Sequence, residues 1–238
     1  MNQYSQKYKT ICRPKEEASR EVAHQIAQVI ENQAMDEDYV CLGLPTGRTP
    51  YLVYEELVRL SNERSFNWQR VKCFALDEYV DSQAEDTFHA YLDKNLYSKV
   101  SIPRKNCFNP AECDDYDGLI ASHGGLDLTI LGVGQNGHIA FNEPGTAEDS
   151  WTHCVWLTDE TLQANKALFK DPDKMPSRAV TMGVATIFAS RKIKLVAFGE
   201  NKKRVLQNAL KEKITSDLPV SYLQKHSNLE VYTDFSLD

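Results

Sequence analysis

The stretch "LGVGQNGHIAFNEPG", Leu131 to Gly145, leaves an apolar segment, enters a glycine-studded turn and offers Asn136, His138, Asn142 and Glu143 within a few residues. An imidazole can accept or donate a proton near neutral pH, and a carboxylate beside it can orient the ring. His138 and Glu143 are therefore candidates for proton transfer on a bound molecule. Gly132, Gly134 and Gly137 imply unusual backbone angles or close approach to a ligand. Asn136 cannot ionise. It can hold the His138 ring by a hydrogen bond, but without the charge an aspartate would bring.

Three further clusters carry chemical groups. "LDEYVD" puts Asp77 and Glu78 at the end of an apolar run. A carboxylate there is partly desolvated, which raises its proton affinity and makes it a better base; Asp77 as a helix cap or as an arginine partner is the competing reading. "LPTGRTP" is a turn between a strand and a helix. Gly47 permits the tight turn, and the amides near Thr46, Gly47, Arg48 and Thr49 can point at an anion at the N-terminus of the helix. The spacing is not that of a P-loop, and plain helix capping is the alternative, although capping has no need of the Arg48 guanidinium. "GENKK" places Lys202 and Lys203 at a helix start, where cations oppose the helix dipole. That suggests an anion for at least one of them, with two solvated lysines as the bland alternative. His24, His89, His123, His153 and His226 read as surface or structural.

These clusters need a scaffold. "YVCLGL" (Tyr39–Leu44), "VKCFAL" (Val71–Leu76), "LDLTILG" (Leu126–Gly132) and "IKLVAFG" (Ile193–Gly199) are short, apolar and rich in β-branched or aromatic residues, as buried strands are. Lys15–Gln33 sets Ala18, Val22, Ile26, Val29 and Ile30 on one helical stripe. "TPYLVYEELVRL" reads as a helix capped by Thr49 with Pro50 at its first position. "ENKKRVLQNAL" continues as a helix, and Thr181–Lys192 reads as a buried helix. Strand–helix alternation implies parallel pairing with right-handed crossovers. The expectation is a single-domain, Rossmann-like α/β fold over residues 1–238: a three-layer sandwich with a mostly parallel sheet flanked by helices. Ligands in such sheets bind beyond the carboxyl ends of the strands, and all four clusters follow a strand.

Composition limits the function classes. The chain has 238 residues, 42% hydrophobic and 26% charged, with a net charge of −7. Nucleic-acid binding would want a basic stripe. No apolar run is long enough to cross a bilayer, and the N-terminal residues lack a secretory apolar core. Cys12, Cys41, Cys73, Cys107, Cys113 and Cys154 form no CxxC pair and no zinc spacing. Cys41 and Cys73 read as core residues. A cytoplasmic protein with reduced cysteines and no metal is expected.

"GLPTGRTP", "ALDEYVD", "GVGQNGHIAFNEPG", "AVTMGVATI" and "SDLPVSYLQKHSN", in this order along nearly the whole chain, resemble the glucosamine-6-phosphate deaminase (isomerase) family. Galactosamine-6-phosphate deaminases are close relatives. The sister 6-phosphogluconolactonases read "DER" and "SLFPG" where this chain has "DEY" and "FNEPG". The resemblance implies a 2-amino-2-deoxyhexose 6-phosphate as substrate, with His138 moving the ring-opening proton and Glu143 holding the imidazole. It implies Asp77 as the base that moves a proton from C2 to C1, the phosphate on Thr46, Gly47, Arg48, Thr49 and Lys202, and no cofactor or metal.

The chain departs from the pattern in three places. Many members carry aspartate at the position of Asn136, which belongs to the ring-opening relay. Relatives carry an arginine that grips phosphate where this chain has Leu162, and Gly or Ser where it has Arg48; Arg48 is expected to supply the missing cation. The segment "GTAEDSWTHC" after "FNEP" has no arginine and the chain ends at Asp238, so hyperbolic kinetics without amino-sugar activation are expected, with a monomer or homodimer rather than a hexamer. A 6-phosphogluconolactonase-like hydrolase and a catalytically idle sugar-phosphate sensor are the alternatives. The C4 epimer, gluco or galacto, is left open.

Overall fold

The computed structural model describes residues 8–33, 39–64, 66–82, 86–166, 169 and 171–238. Its centre is a seven-stranded parallel sheet: β1 (Tyr8–Cys12), β2 (Val40–Leu44), β3 (Val71–Ala75), β5 (Cys107–Phe108), β6 (Leu128–Leu131), β9 (Ile193–Ala197) and β10 (Leu229–Thr233). The strand order is β1-β10-β9-β6-β2-β3-β5, and each recorded pairing is parallel. The four strands expected from apolar runs are β2, β3, β6 and β9. They are neighbours in the order β9-β6-β2-β3, so their carboxyl ends meet on one stretch of rim.

Both faces are covered, which explains why these strands are continuously apolar. On one face lie α1 (Lys15–Gln33) and α2 (Tyr51–Glu63), with α3 (Phe88–Asn95) beside them. Ala18, Val22, Ala23, Ile26 and Ala27 of α1 are wholly buried, small and branched residues that let the helix sit close to the sheet. On the other face α4 (Tyr116–Ser122), α6 (Val184–Phe188) and α7 (Lys203–Lys211) pack over Leu131, Leu195 and Val231. The three-layer expectation is met. Among the described residues, no helix is long and apolar enough to cross a membrane. All six cysteines are free, with Cys41 and Cys73 buried.

Two local expectations change. The helix after β2 begins at Tyr51 with Pro50 as its cap and no side-chain cap bond, so Thr49 does not cap it. Proline's fixed φ suits a helix start without one. The stretch Thr181–Lys192 is helical only over α6; its first residue closes strand β8 (Arg178–Thr181).

That strand belongs to a small antiparallel sheet, β4-β8-β7, which the apolar runs do not announce. β4 is Asp77–Tyr79 and β7 is His153–Trp156. Asp77 pairs with Thr181, and Thr181 with His153. This ladder ties the chain after β3 to the far segment that returns before α6.

Candidate active site

Four loops converge on one cavity of about 430 Å³. Thr46, Gly47, Arg48 and Thr49 line it after β2, Asp77 after β3, Gly134 and His138 after β6, and Lys202 after β9. Asn136 and Glu143 stand behind the imidazole, with Asn136 bonded both to the ring and to Glu143. The residues expected to hold an anion and the two expected to move protons thus share one space.

The turn after β2 is anchored from beneath. The Tyr54 hydroxyl donates to the Pro45 carbonyl and the Tyr91 hydroxyl to that of Gly47, each at 2.5 Å. Gly47 has φ of +95°, a backbone state glycine adopts without steric cost. The carbonyls of Pro45 and Gly47 are thus held by the two tyrosines. Tyr54 lies among Val53, Leu57 and Leu60 on the buried stripe of α2. A buried hydroxyl must find a partner, which is the one signal that could have found it from sequence.

Asp77 is 7% exposed and opens β4. Burial, and secondarily the neighbouring Glu78 carboxylate, raise its carboxyl to about 8. Glu78 itself accepts the backbone N–H groups of Tyr79, Phe88 and His89 and the amide of Asn109. It therefore fastens the β3–β4 corner to the start of α3. The capping role weighed for Asp77 belongs to its neighbour, which leaves Asp77 to the cavity.

The loop bearing His138 is under backbone constraint. Gly137 has φ of +87° and Ala140, which carries a Cβ, has φ of 51°. Left-handed angles at such a residue are uncommon and persist where surrounding bonds fix them. Asn142 supplies those bonds: fully buried, it donates its amide to the carbonyls of Ile139 and Met182. Phe141 N–H donates to Thr181 Oγ1 at 3.1 Å, so the small sheet positions the Asp77 loop and the His138 loop together. Gly134 is needed for another reason. A Cβ there would lie 2.2 Å from His138 Cε1, inside the ring's own space.

The polar chain behind His138 fixes its tautomer. Asn136 Nδ2 donates to Glu143 Oε2 at 2.7 Å. This sets the amide's orientation, because a carboxylate can only accept. Asn136 Oδ1 then faces His138 Nδ1 at 2.7 Å and also accepts the His138 backbone N–H. The ring proton of neutral His138 therefore sits on Nδ1, and Nε2 carries the lone pair. Glu143 reaches Nδ1 directly only at 3.5 Å; the amide bridges the two. Burial alone would raise the Glu143 carboxyl. The His138 imidazole 3.5 Å away, the Thr161 hydroxyl and the Asn136 amide outweigh it and hold the group at about 2.

Helix α5 (Asp159–Asn165) contributes cavity residues that the sequence did not single out: Thr161 and Asn165. Leu162 packs instead against the aromatic cluster of Tyr79, Phe141 and Phe169. Gln135 and Phe88 also line the cavity. Lys203 pairs with Glu200 at 3.9 Å, and of the two lysines it is Lys202 that reaches the cavity.

Residues 13–232 match the family model described as glucosamine-6-phosphate isomerases/6-phosphogluconolactonase. A glucosamine-6-phosphate deaminase of Bacillus pumilus (strain SAFR-032) is 40% identical over 230 residues, 92% of this chain and 94% of that protein. One from Staphylococcus aureus (strain JH9) is 42% identical over 204 residues, 81% of each. Among solved structures, a monomeric glucosamine-6-phosphate deaminase superimposes with a TM-score of 0.88 at 34% identity, covering 94% of this chain and 96% of that one. The 6-phosphogluconolactonase of Thermotoga maritima shares the fold, with a TM-score of 0.72 at 22% identity over 95% of this chain and 98% of that one.

Proposed function

The chain belongs to the glucosamine-6-phosphate isomerase/6-phosphogluconolactonase family, and within it we propose an amino-sugar 6-phosphate deaminase. It converts glucosamine 6-phosphate and water to fructose 6-phosphate and ammonia. The observation that carries this reading is the cavity shared by a proton-hungry carboxylate, a tautomer-fixed imidazole and a turn suited to an anion.

The phosphate sits on the amides and hydroxyls of Thr46, Gly47 and Thr49, with Arg48 and Lys202 as counter-charges. Helix N-termini and guanidinium groups favour such anions. Leu162 gives no cation from α5, so Arg48 takes that part from the opposite loop. His138 Nε2, with its lone pair, takes the proton of the anomeric hydroxyl. The ring oxygen leaves C1 and receives a proton, and the open-chain aldose remains. The Nδ1–H of His138 keeps donating to Asn136 Oδ1 throughout, and the Glu143 charge behind the amide stabilises the imidazolium formed on the way.

Asp77 then removes the C2 proton while the C1 carbonyl oxygen takes up the proton that the substrate ammonium gives up, forming a cis-enolamine; the C2 proton returns to C1 and the C2–N bond becomes the protonated imine. One base serves both carbons because they are adjacent. A carboxyl near 8 is a strong base for its type. It must be ionised to act, and the substrate's own ammonium helps: a cation beside a buried carboxylate favours the charged form. The resulting ketose imine takes up water and expels ammonia.

Ammonia release from glucosamine 6-phosphate tests the proposal, with galactosamine 6-phosphate and 6-phosphogluconolactone assayed beside it. Hydrolysis of the lactone alone would replace it with the lactonase reading. Thermal stabilisation by the amino sugar without turnover would replace it with a sensor. A cytoplasmic location fits the six free cysteines. We take the protein to be a monomer or homodimer; a hexamer in sedimentation would overturn that.

A further inference from the structure

Glu143 is held at both of its carboxylate oxygens. Oε2 accepts the Asn136 amide, while Oε1 accepts the Thr161 hydroxyl at 2.5 Å. Thr161 is 4% exposed and lies in the first turn of α5. The Thr158 hydroxyl in turn donates to Thr161 Oγ1 at 3.1 Å, and Thr158 Oγ1 accepts the Thr161 backbone N–H. The Thr158 hydroxyl also lies 3.5 Å from Glu143 Oε1, a longer and weaker alternative to its bond with Thr161. From Thr161 to His138 the directions are fixed. Carboxylate oxygens only accept, so Thr161 must donate to Glu143 and its oxygen is free to accept from Thr158. The Asn136 amide must donate to Glu143, and its carbonyl must accept from His138.

We propose that Thr161 is a positioning residue for proton transfer at His138, acting through Glu143 and Asn136, and that it joins helix α5 to the ring-opening relay. The inference rests on the deaminase reading for its catalytic consequence, though not for its structural one. A carboxylate held at one oxygen can rotate about its last torsion, and such torsions are broad. If Oε1 is released, Oε2 leaves its line with Asn136 Nδ2. The amide then loses the bond that sets its orientation, and His138 loses the fixed acceptor for Nδ1–H. Helix α5 also lines the cavity through Thr161 and Asn165, so the element that touches the ligand is the one that braces the imidazole.

The test separates positioning from catalysis by reading the imidazole directly. The ring ¹⁵N resonances of His138 are recorded without substrate in wild type, Thr161→Val, Thr161→Ala and Thr161→Ser, with kcat and KM measured for each. Wild type and Thr161→Ser show Nδ1–H neutral imidazole, whereas Thr161→Val and Thr161→Ala show a mixture of tautomers. Loss of one charged hydrogen bond lowers kcat by about ten-fold with KM changed by less than about two-fold, and serine restores it. A single Nδ1–H tautomer in folded Thr161→Val or Thr161→Ala overturns the inference, whether or not kcat falls. If Thr161→Val does not fold, the smaller alanine decides. A wild type with the fixed tautomer, mixed tautomers in the variants and no ammonia release by any of them would leave this inference standing and remove the deaminase reading.

Discussion

Asn136→Asp exchanges the Nδ2–H that donates to Glu143 Oε2 over 2.7 Å for an anionic oxygen. A hydrogen bond to a charged group, worth about 1.5–3 kcal/mol, is lost. Two carboxylates then face each other beside a Glu143 side chain that is only 13% exposed. With charge centres about 4 Å apart and an effective dielectric near 20, their repulsion is about 4 kcal/mol. Such pairs shed the cost by retaining a proton. His138 touches both, its Nδ1 lying 2.7 Å from Asn136 Oδ1 and 3.5 Å from Glu143 Oε2. An imidazolium between two carboxylates is the least strained arrangement. One pH unit corresponds to about 1.4 kcal/mol, so a third of the repulsion already moves the titration by about one unit. We expect His138 of the Asn136→Asp variant to keep its proton to a pH at least about one unit higher than in wild type, by proton NMR of its Cε1–H. Adding Glu143→Gln should remove most of the increase, which a double-mutant cycle would show. Coincident His138 titrations in wild type and Asn136→Asp would mean that the amide does not bridge a charged Glu143, and the relay as drawn would be wrong.

Arg48→Ser is expected to raise KM for the amino-sugar phosphate about ten-fold with kcat little changed, the low end for a charged contact because the guanidinium is exposed; an unchanged KM would return the phosphate to Lys202 and the backbone alone. With Asp77 as the proposed base, acting in its ionised form, and its carboxyl raised to about 8, kcat/KM of wild type should climb with pH until about 8. The same shift has a stability cost of definite sign. A carboxyl raised by folding stabilises below its unfolded value near 4 and loses that contribution as pH rises through about 8. The inactive Asp77→Asn variant should therefore melt higher than wild type by a margin that widens from pH 5 to pH 8.5 by at least about 2–4 °C, equivalent to about 1 kcal/mol in a chain of this size; a margin that shrinks with pH would show Asp77 is not desolvated. Gly134→Ala sets a methyl 2.2 Å from the His138 ring, and should cost about 1–3 kcal/mol of stability by overpacking and abolish most activity; wild-type melting and turnover would rule out the close approach.

Much of this site can be read from the chain because strands of a covered parallel sheet are apolar throughout and stop where polar loops begin. The runs that became β2, β3, β6 and β9 are local signals, and so is the polar cluster after each. Asp77, His138, Glu143 and the Thr46–Thr49 turn are therefore visible one by one, and the rule that ligands bind beyond the strand ends gathers them on one rim. The start of α2 lies one residue later than Thr-Pro suggests: Thr49 and Pro50 read as cap and first helical residue, whereas Pro50 is the cap and Tyr51 the first residue.

What the sequence by itself settled was the inventory: which acid, which imidazole and which turn. Only the tertiary structure decided how they are held. The sheet order makes neighbours of four strands scattered over the chain. The β4-β8-β7 ladder binds Asp77 to Thr181 and, through Thr181, to the His138 loop. Thr161, Tyr54, Tyr91 and Glu78 act through hydrogen bonds to groups far away in sequence or on other elements. Such bonds leave no periodic trace, since a hydrogen bond depends on a distance and an angle that exist only once the elements are packed.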